Sequence, residues 1–346
     1  MRLSVIILNY DTRDLLLQCL ASIPRSSAEL ELEILIVNNG SVRDTAESLE
    51  GLHPDAVVID LPVNVGFGQA NNLAARKASG DYLLLLNSDT YFLDDSLVKV
   101  SEFLARRPEV DFFGCRIFYP DGRTQRGHHV CSPDARARRL DEVKRQIWNN
   151  PVLEKLRRTF WRGKGGPDVT ETMWLTGCCV FVRRQAFVET GGFDPDFYLY
   201  SEEVDWFHSR VFDRGYKISV CEEVRVVHLE GASQARAAMS LQSRLSDYLF
   251  MYKLGSGMLP LSLLINTCNV LTRLLCIPFV PGKLDHNVGV VRCEAQAMLL
   301  ALREIPWYPR EYGSRPAPLL VPKYRKNYSW SRVSESMLGV MKTNQE

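Results

Sequence analysis

Three stretches of this 346-residue chain place reactive side chains where a fold could use them. The first is LLLLNSDT, in which four leucines run straight into Asn87, Ser88 and Asp89. A chain that only had to turn would more often use Gly, Pro or Asn-Gly. The reading here is that a buried strand delivers an amide, a hydroxyl and a carboxylate to a site at its end. Asp89 then either binds a divalent cation or caps the next helix. The second stretch, YLYSEEVDW, holds Glu202, Glu203 and Asp205 within four positions beside Tyr198 and Tyr200. Such acids suit the first turn of a helix beginning near Ser201, and equally suit proton transfer. The third is VRVVH, a strand-like run ending on His228. A lone histidine there is more often a satisfied core residue than a ligand. Taken together, the three point to a metal, a phosphate and a base.

Side chains so far apart in sequence need a scaffold that brings them together. Residues 3–8 and 33–37 are short, β-branched and apolar. Between them, Leu15, Leu16, Cys19, Leu20 and Ile23 have helical spacing, with Thr12 or Asp11 as N-cap. A helix over about 44–52, a strand over 57–61, a helix over 68–78 and the strand 82–86 follow. This is the βαβ rhythm of a parallel sheet. Strands covered on both faces read as unbroken apolar runs, which accounts for the four leucines. Ligands of open α/β sheets sit beyond the carboxyl ends of the strands. Three such ends carry polar clusters here: Asn9-Tyr10-Asp11, Asn38-Asn39-Gly40-Ser41 and Asn87-Ser88-Asp89.

Composition bounds the rest. A formal net charge of +1 gives no global sign of a nucleic-acid partner. Nine cysteines without CxxC spacing read as reduced thiols of a cytoplasmic protein. The N-terminal apolar run is too short for a signal peptide and suits a first buried strand. About residues 126–170 the chain becomes rich in Arg and Lys, a basic and partly helical insertion with a mobile-looking GKGGP at 163–167. Its charges read either as a solvated helix surface or as a patch facing phosphate or membrane. In 258–281 an apolar run is interrupted by Asn266, Thr267, Asn269, Thr272 and Arg273. A charge near mid-membrane costs roughly 2.5–3.5 kcal/mol, so a packed or interfacial helix is expected rather than a spanning one. The Pro-, aromatic- and Arg/Lys-rich stretch over 305–332 reads as an extended tail suited to an anionic surface.

These motifs, in this order, resemble the inverting family 2 glycosyltransferases of the GT-A fold. LSVIILNYDTRDLLLQCLASI and EILIVNNGSVRD are similar to the family's first two strands. NVGFGQANNLAARKASGDYLLLLNSDT matches the segment that runs into its Asp-x-Asp position. WLTGCCVFVRRQAFVETGGFDPDFYLYSEEVDW and VVHLEGAS match its acceptor-side and histidine motifs. With YPDGRTQ, the rhamnosyltransferase-like branch is most similar. The resemblance implies an α/β, GT-A-type, Rossmann-like nucleotide-sugar-binding domain with a mostly parallel sheet over 1–253. A helical C-terminal extension and tail would follow over 254–346. It implies Mg²⁺ or Mn²⁺ on Asp89 and His228, bridging the diphosphate of a dTDP-, UDP- or GDP-linked donor. The nucleotide would lie over Leu8, Asn9, Tyr10, Asp11, Asn38, Asn39, Gly66 and Asn71, with Asn87 and Ser88 beside the diphosphate. Glu203 takes the family's base position, with Glu202 and Asp205 as neighbours. Trp174, Thr176 and Gly177 shape the acceptor side.

The expected activity is inverting transfer of rhamnose or another hexose to a hydroxyl of a saccharide or lipid-linked glycan precursor. The place would be the cytoplasm or the inner face of the cytoplasmic membrane; a homo-oligomer is left open. Two positions depart from the pattern: Asn38 stands where the family usually has Asp, and Glu203 is one methylene longer than the usual Asp. They motivate the alternative of a non-catalytic nucleotide-sugar-binding protein or partner subunit. A nicotinamide-binding oxidoreductase is excluded by Asn-Tyr-Asp-Thr where a Gly-x-Gly-x-x-Gly turn would stand.

Overall fold

The computed structural model describes residues 1–24, 29–131, 134–150, 152–153, 173–229, 236–276 and 284–307. The GKGGP stretch and the tail beyond residue 307 lie outside the described residues. The first half alternates as expected: β1 (Arg2–Asn9), α1 (Arg13–Ala21), β2 (Glu31–Asn39), α2 (Ala46–Leu49), β3 (Ala56–Leu61), α3 (Phe67–Lys77) and β4 (Tyr82–Asn87). Then come β5 (Thr90–Phe92), α4 (Lys99–Arg106), β6 (Phe112–Phe118), β7 (Thr124–Gln125), β8 (His128–Val130) and α5 (Ala135–Trp148). After β9 (Met173–Leu175) follow β10 (Cys179–Arg183), α6 (Arg184–Thr190), α7 (Glu202–Trp206) and β11 (Ile218–His228). Three long helices close the described chain: α8 (Arg236–Lys253), α9 (Met258–Cys276) and α10 (Leu284–Glu304).

Among the described residues nine strands form one sheet in the order β3-β2-β1-β4-β10-β6-β11-β5, with β7 on β6, and β8 pairs antiparallel with β9 in a second, two-stranded sheet. The β3-β2-β1-β4 half of the larger sheet is parallel. Beyond it β10 runs antiparallel to β4 and β6, and β5 antiparallel to β11. The four leucines follow from burial on two faces. Leu84 and Leu86 join one core with Leu16, Leu20 and Phe103, while Leu83 and Leu85 join the other with Leu73 and Trp206. Successive strand residues point to opposite faces, so a strand covered by helices on both needs apolar residues throughout.

Local departures from the expected elements have local causes. The helix expected over 44–52 is only Ala46–Leu49, capped by Thr45, whose hydroxyl accepts from Ser48 N, and is followed by Gly51 at φ +78°. Thr12 does precede α1 but does not cap it. Its hydroxyl donates to Asn9 Oδ1 at 3.0 Å and lies 2.9 Å from Ser88 Oγ. Asp11 instead accepts from the amides of Val42 and Arg43, joining the loops after β1 and β2.

α8 and α10 share a third apolar core with Phe197, built on Leu245, Tyr248, Phe250, Ala297 and Ala301. α8 is also pinned electrostatically to the sheet domain. Lys253 Nζ lies 2.7 Å from both Asp194 and Asp196, with both carboxylates buried and the lysine side chain covered.

Candidate active site

The three polar strand ends do converge. Asn9 Nδ2 lies 3.3 Å from Asn38 Oδ1, 3.2 Å from Ser41 Oγ and 3.0 Å from Asp44 Oδ2. The Thr12–Ser88 contact ties the end of β4 to the same cluster. Leu8, Tyr10 and Asp11 are half-buried at its rim. Asn38 spends its amide donors on Asp44 O (3.0 Å) and Asp60 Oδ1 (2.7 Å). A carboxylate at position 38 would face that of Asp60, so the amide fits this neighbourhood. Asn39 accepts from Val65 N and donates to Asn64 Oδ1 and Gly66 O, fixing the loop before α3. Gly66 is needed there: its φ is +89°, and a Cβ would stand 2.2 Å from Tyr198 O. Asn71 is buried and donates back to Phe67 O at 3.0 Å.

Asp89 and His228 meet because β5 pairs with β11, which sets Thr90 opposite His228 and lets Leu229 N donate to Asp89 O. His228 Nε2 lies 3.4 Å from Asp89 Oδ1, and both residues are buried. The other ring nitrogen, Nδ1, is 3.1 Å from Gln125 Oε1. With that oxygen as acceptor, Nδ1 carries the proton and the Nε2 lone pair faces the carboxylate. Two electron-rich atoms so placed suit a shared cation. One carboxylate and one imidazole fit Mn²⁺, and fit Mg²⁺ if water and phosphate oxygens complete the shell. Among the described residues no cluster of three metal-binding side chains occurs. The pair thus offers two candidate ligands to a cation, short of a complete set of protein ligands among the described residues. Gln125 was missed from the sequence as the partner that orients the His228 ring, although it closes the quoted YPDGRTQ stretch.

The acidic cluster separates by role. Tyr200 and Ser201 both adopt left-handed backbone, at φ +69° and +64°, an arrangement that side chains disfavour and that tends to mark functional turns. They launch α7 so that Glu202 and Asp205 turn inward. Asp205 accepts from Arg210 at 2.9 Å and Ser209 at 3.0 Å. Glu202 is buried with Oε2 unpartnered, and burial, then Glu203, push its carboxyl well above the usual range. Glu203 alone of the three lines a cavity of about 470 Å³, with Arg145, Trp174, Tyr200, Arg244 and Asp247 among its walls. Burial, and further the Asp247 charge, push Glu203 up to about 7, against the lowering effect of backbone hydrogen bonds.

The segment 174–178 joins the two halves of the site. Trp174 stacks on His129 with ring centroids 3.8 Å apart, and Thr176 donates to Arg126 O at 3.0 Å. A Cβ on Gly177 would stand 3.7 Å from Glu203 Cδ. One residue on, Cys178 O accepts from Asn87 N, two residues before Asp89. Glu203 and the carboxylate–imidazole pair therefore share a wall. Two further positioning contacts escaped the sequence reading. Asn72 grips both N and O of Phe193 (2.9 and 2.8 Å), and Ser201 Oγ donates to Asp247 Oδ1 at 2.9 Å.

The site thus sets a carboxylate–imidazole pair beside the sheet and a carboxylate of raised pKa on α7 along one shared wall. Residues 4–188, more than half the chain, match the model of glycosyl transferase family 2. The chain belongs to that family, and so is a sugar-transferring enzyme. It is 28% identical over 249 residues to O-antigen biosynthesis protein RfbC of Myxococcus xanthus, a match over 69% of this chain but 18% of that relative. It is 24% identical over 269 residues to N-acetylglucosaminyl-diphospho-decaprenol L-rhamnosyltransferase of Mycobacterium tuberculosis, over 74% of this chain and 85% of that one. Its fold is similar to the mannosyltransferase PcManGT of Pyrobaculum calidifontis, solved with GDP-Man and Mn²⁺. That likeness has a TM-score of 0.50 at 15% identity, covering 88% of this chain and 87% of that one.

Proposed function

We propose that this enzyme moves a hexose, rhamnose foremost, from a nucleotide-sugar to a hydroxyl of a saccharide or lipid-linked glycan precursor, with inversion. The observation that carries this reading is Glu203, a carboxylate held near pKa 7 in a cavity whose wall leads directly to Asp89 and His228. A general base works best with a pKa near the operating pH. Glu203 takes the acceptor's proton as the acceptor oxygen bonds to the anomeric carbon, and the bond from that carbon to the diphosphate breaks with its electron pair on the leaving oxygen. Asp89 and His228 would hold Mg²⁺ or Mn²⁺, which supplies charge stabilisation to the departing diphosphate. Trp174, flat against His129, offers an apolar face for a sugar ring at the acceptor side. The crevice over Leu8–Asp11 and Asn38–Asn39 receives the nucleotide, with Asn9, Asn38 and Asn39 shaping it from beneath. The N-acetylglucosaminyl-diphospho-decaprenol named for the rhamnosyltransferase relative supports a lipid-linked acceptor, and such an acceptor would be met at the inner face of the cytoplasmic membrane.

The test begins with nucleotide release from dTDP-rhamnose, UDP-sugars and GDP-sugars, with Mg²⁺ or Mn²⁺ and then with chelator. Metal-dependent release from one donor is expected. Glu203→Gln keeps donor binding and loses transfer by on the order of 100-fold or more. Near-normal transfer by that variant would move the base elsewhere.

A further inference from the structure

α9 is built inside out. In an ordinary surface helix the apolar stripe faces the protein. Here Ser262 and Asn269 are buried, with Asn269 donating to Gln146 O (3.1 Å) and accepting from Asn150 (3.0 Å), which also donates to Thr272 (3.1 Å). Leu261, Leu264, Cys268, Leu271 and Leu275, spaced three and four residues apart, face outward. Leu264, Leu271 and Leu275 are 61, 54 and 74% exposed, and only 22% of Met258–Leu275 is buried. Leu259 and Leu263 alone on this helix reach the third core. No Asp or Glu occurs between Met258 and Cys276.

The neighbouring helix says what covers this face. α5 meets α9 at Gln146 and, two residues past its end, through Asn150, and between these contacts Ile147 and Trp148 are exposed. Along α5 the exposed cations turned away from the Glu203 cavity are Arg136, Arg139 and Lys144, the last 3.3 Å from Asp141, while Arg145 lines that cavity and pairs with Glu142. Leucines and a tryptophan beside cations suit an anionic bilayer, where apolar side chains enter the headgroup boundary and Lys or Arg pair with lipid charge. A second copy of the chain would set like-charged α5 surfaces near one another in a twofold contact. We infer that the α9 leucine stripe and the basic face of α5 dock this enzyme onto an anionic membrane surface. α5, through Glu142 and Arg145, and its C-cap Asn149 also line the Glu203 cavity, so docking holds that cavity beside the bilayer. The inference deepens the lipid-linked acceptor reading and rests on it for purpose, while its geometry stands on α9 and α5.

The experiment is vesicle flotation of the full chain, with phosphatidylcholine alone and with phosphatidylglycerol added. Wild type floats with the anionic vesicles, roughly tenfold better than with neutral ones. Leu264→Ser with Leu271→Ser abolishes flotation, and Arg136→Glu with Arg139→Glu removes the lipid preference. Nucleotide binding by calorimetry, which uses neither helix face, stays at the wild-type level in both. Its loss in wild type would sink the sugar-transfer reading, whatever the vesicles do. Wild-type flotation by the leucine variant overturns the docking inference. So does a dimer, seen by light scattering, that the leucine variant dissociates while lipid binding is unchanged.

Discussion

Asp247 offers a direct test of how Glu203 is tuned. Its carboxylate lines the same cavity, accepts from Ser201 Oγ at 2.9 Å, and raises the proton affinity of Glu203 by like-charge repulsion. Arg244 at 3.6 Å and Arg145 at 3.9 Å offset part of that charge. Asp247→Asn keeps an acceptor for Ser201 and removes the charge. With Glu203 near 7, the base is deprotonated in about a tenth of molecules at pH 6 and about nine-tenths at pH 8. Removing a partly offset like charge lowers the midpoint by on the order of half a pH unit. Normalised to its own plateau, the variant is then roughly 2.5-fold faster than wild type at pH 6 and unchanged at pH 8. The assay is kcat against pH with saturating donor and acceptor, in buffers of constant ionic strength. The sign is fixed: a base must be ionised, so rate rises with pH through the midpoint, and a lowered midpoint helps only on the acid side. An unmoved or raised midpoint would refute the Asp247–Glu203 coupling.

The remaining predictions concern metal and fold. Asp89→Ala loses metal-dependent nucleotide binding in calorimetry, and wild-type affinity in Mn²⁺ would remove Asp89 from the metal site. Gln125→Leu leaves His228 Nδ1 without its acceptor and weakens Mn²⁺ binding by roughly 10- to 100-fold, read by electron paramagnetic resonance with nucleotide present. An unchanged affinity would mean that Gln125 does not orient the imidazole. Lys253→Met removes the cation shared by the buried Asp194 and Asp196 carboxylates, with Arg210 still 3.9 Å from Asp194, and costs about 3–5 kcal/mol. A fall in Tm smaller than about 2 °C would show that their charges are neutralised in another way.

The parallel half of the fold was legible because its signals are local. Val5 to Ile7 and Leu83 to Leu86 announce strands buried on both faces, and the polar residues that end them mark the crevice. The second half of the sheet was not, because β10 enters between β4 and β6 through pairings roughly 70 to 100 residues distant in sequence, which no short pattern encodes. The same distance hid the supporting shell. Gln125 acts on His228, Asn72 on Phe193, and Ser201 on Asp247, each across a long separation. An amide on α3 looks like any other amide until the loop it holds is known. Asn38 shows the converse: the motif drew attention to it as a departure, and only its neighbour Asp60 shows why an amide fits there.

Helical phase separates the three acids, and it was available in the sequence in principle. Residues 202, 205 and 206 stand three and four apart, so a helix that buries Trp206 must turn Glu202 and Asp205 toward the same interior. Glu203 falls off that face. The phase could be read only once the helix start was known, and that start depends on two consecutive left-handed residues, Tyr200 and Ser201, that carry no glycine signature. Their conformation is supported from outside the segment: Ser246 Oγ donates to Leu199 O at 2.8 Å, and Asp247 holds Ser201. Both supports come from α8. α8, which lies beyond the family-matched region, is therefore part of what positions Glu203, because without it the turn that launches α7 loses the contacts that hold it in a disfavoured backbone.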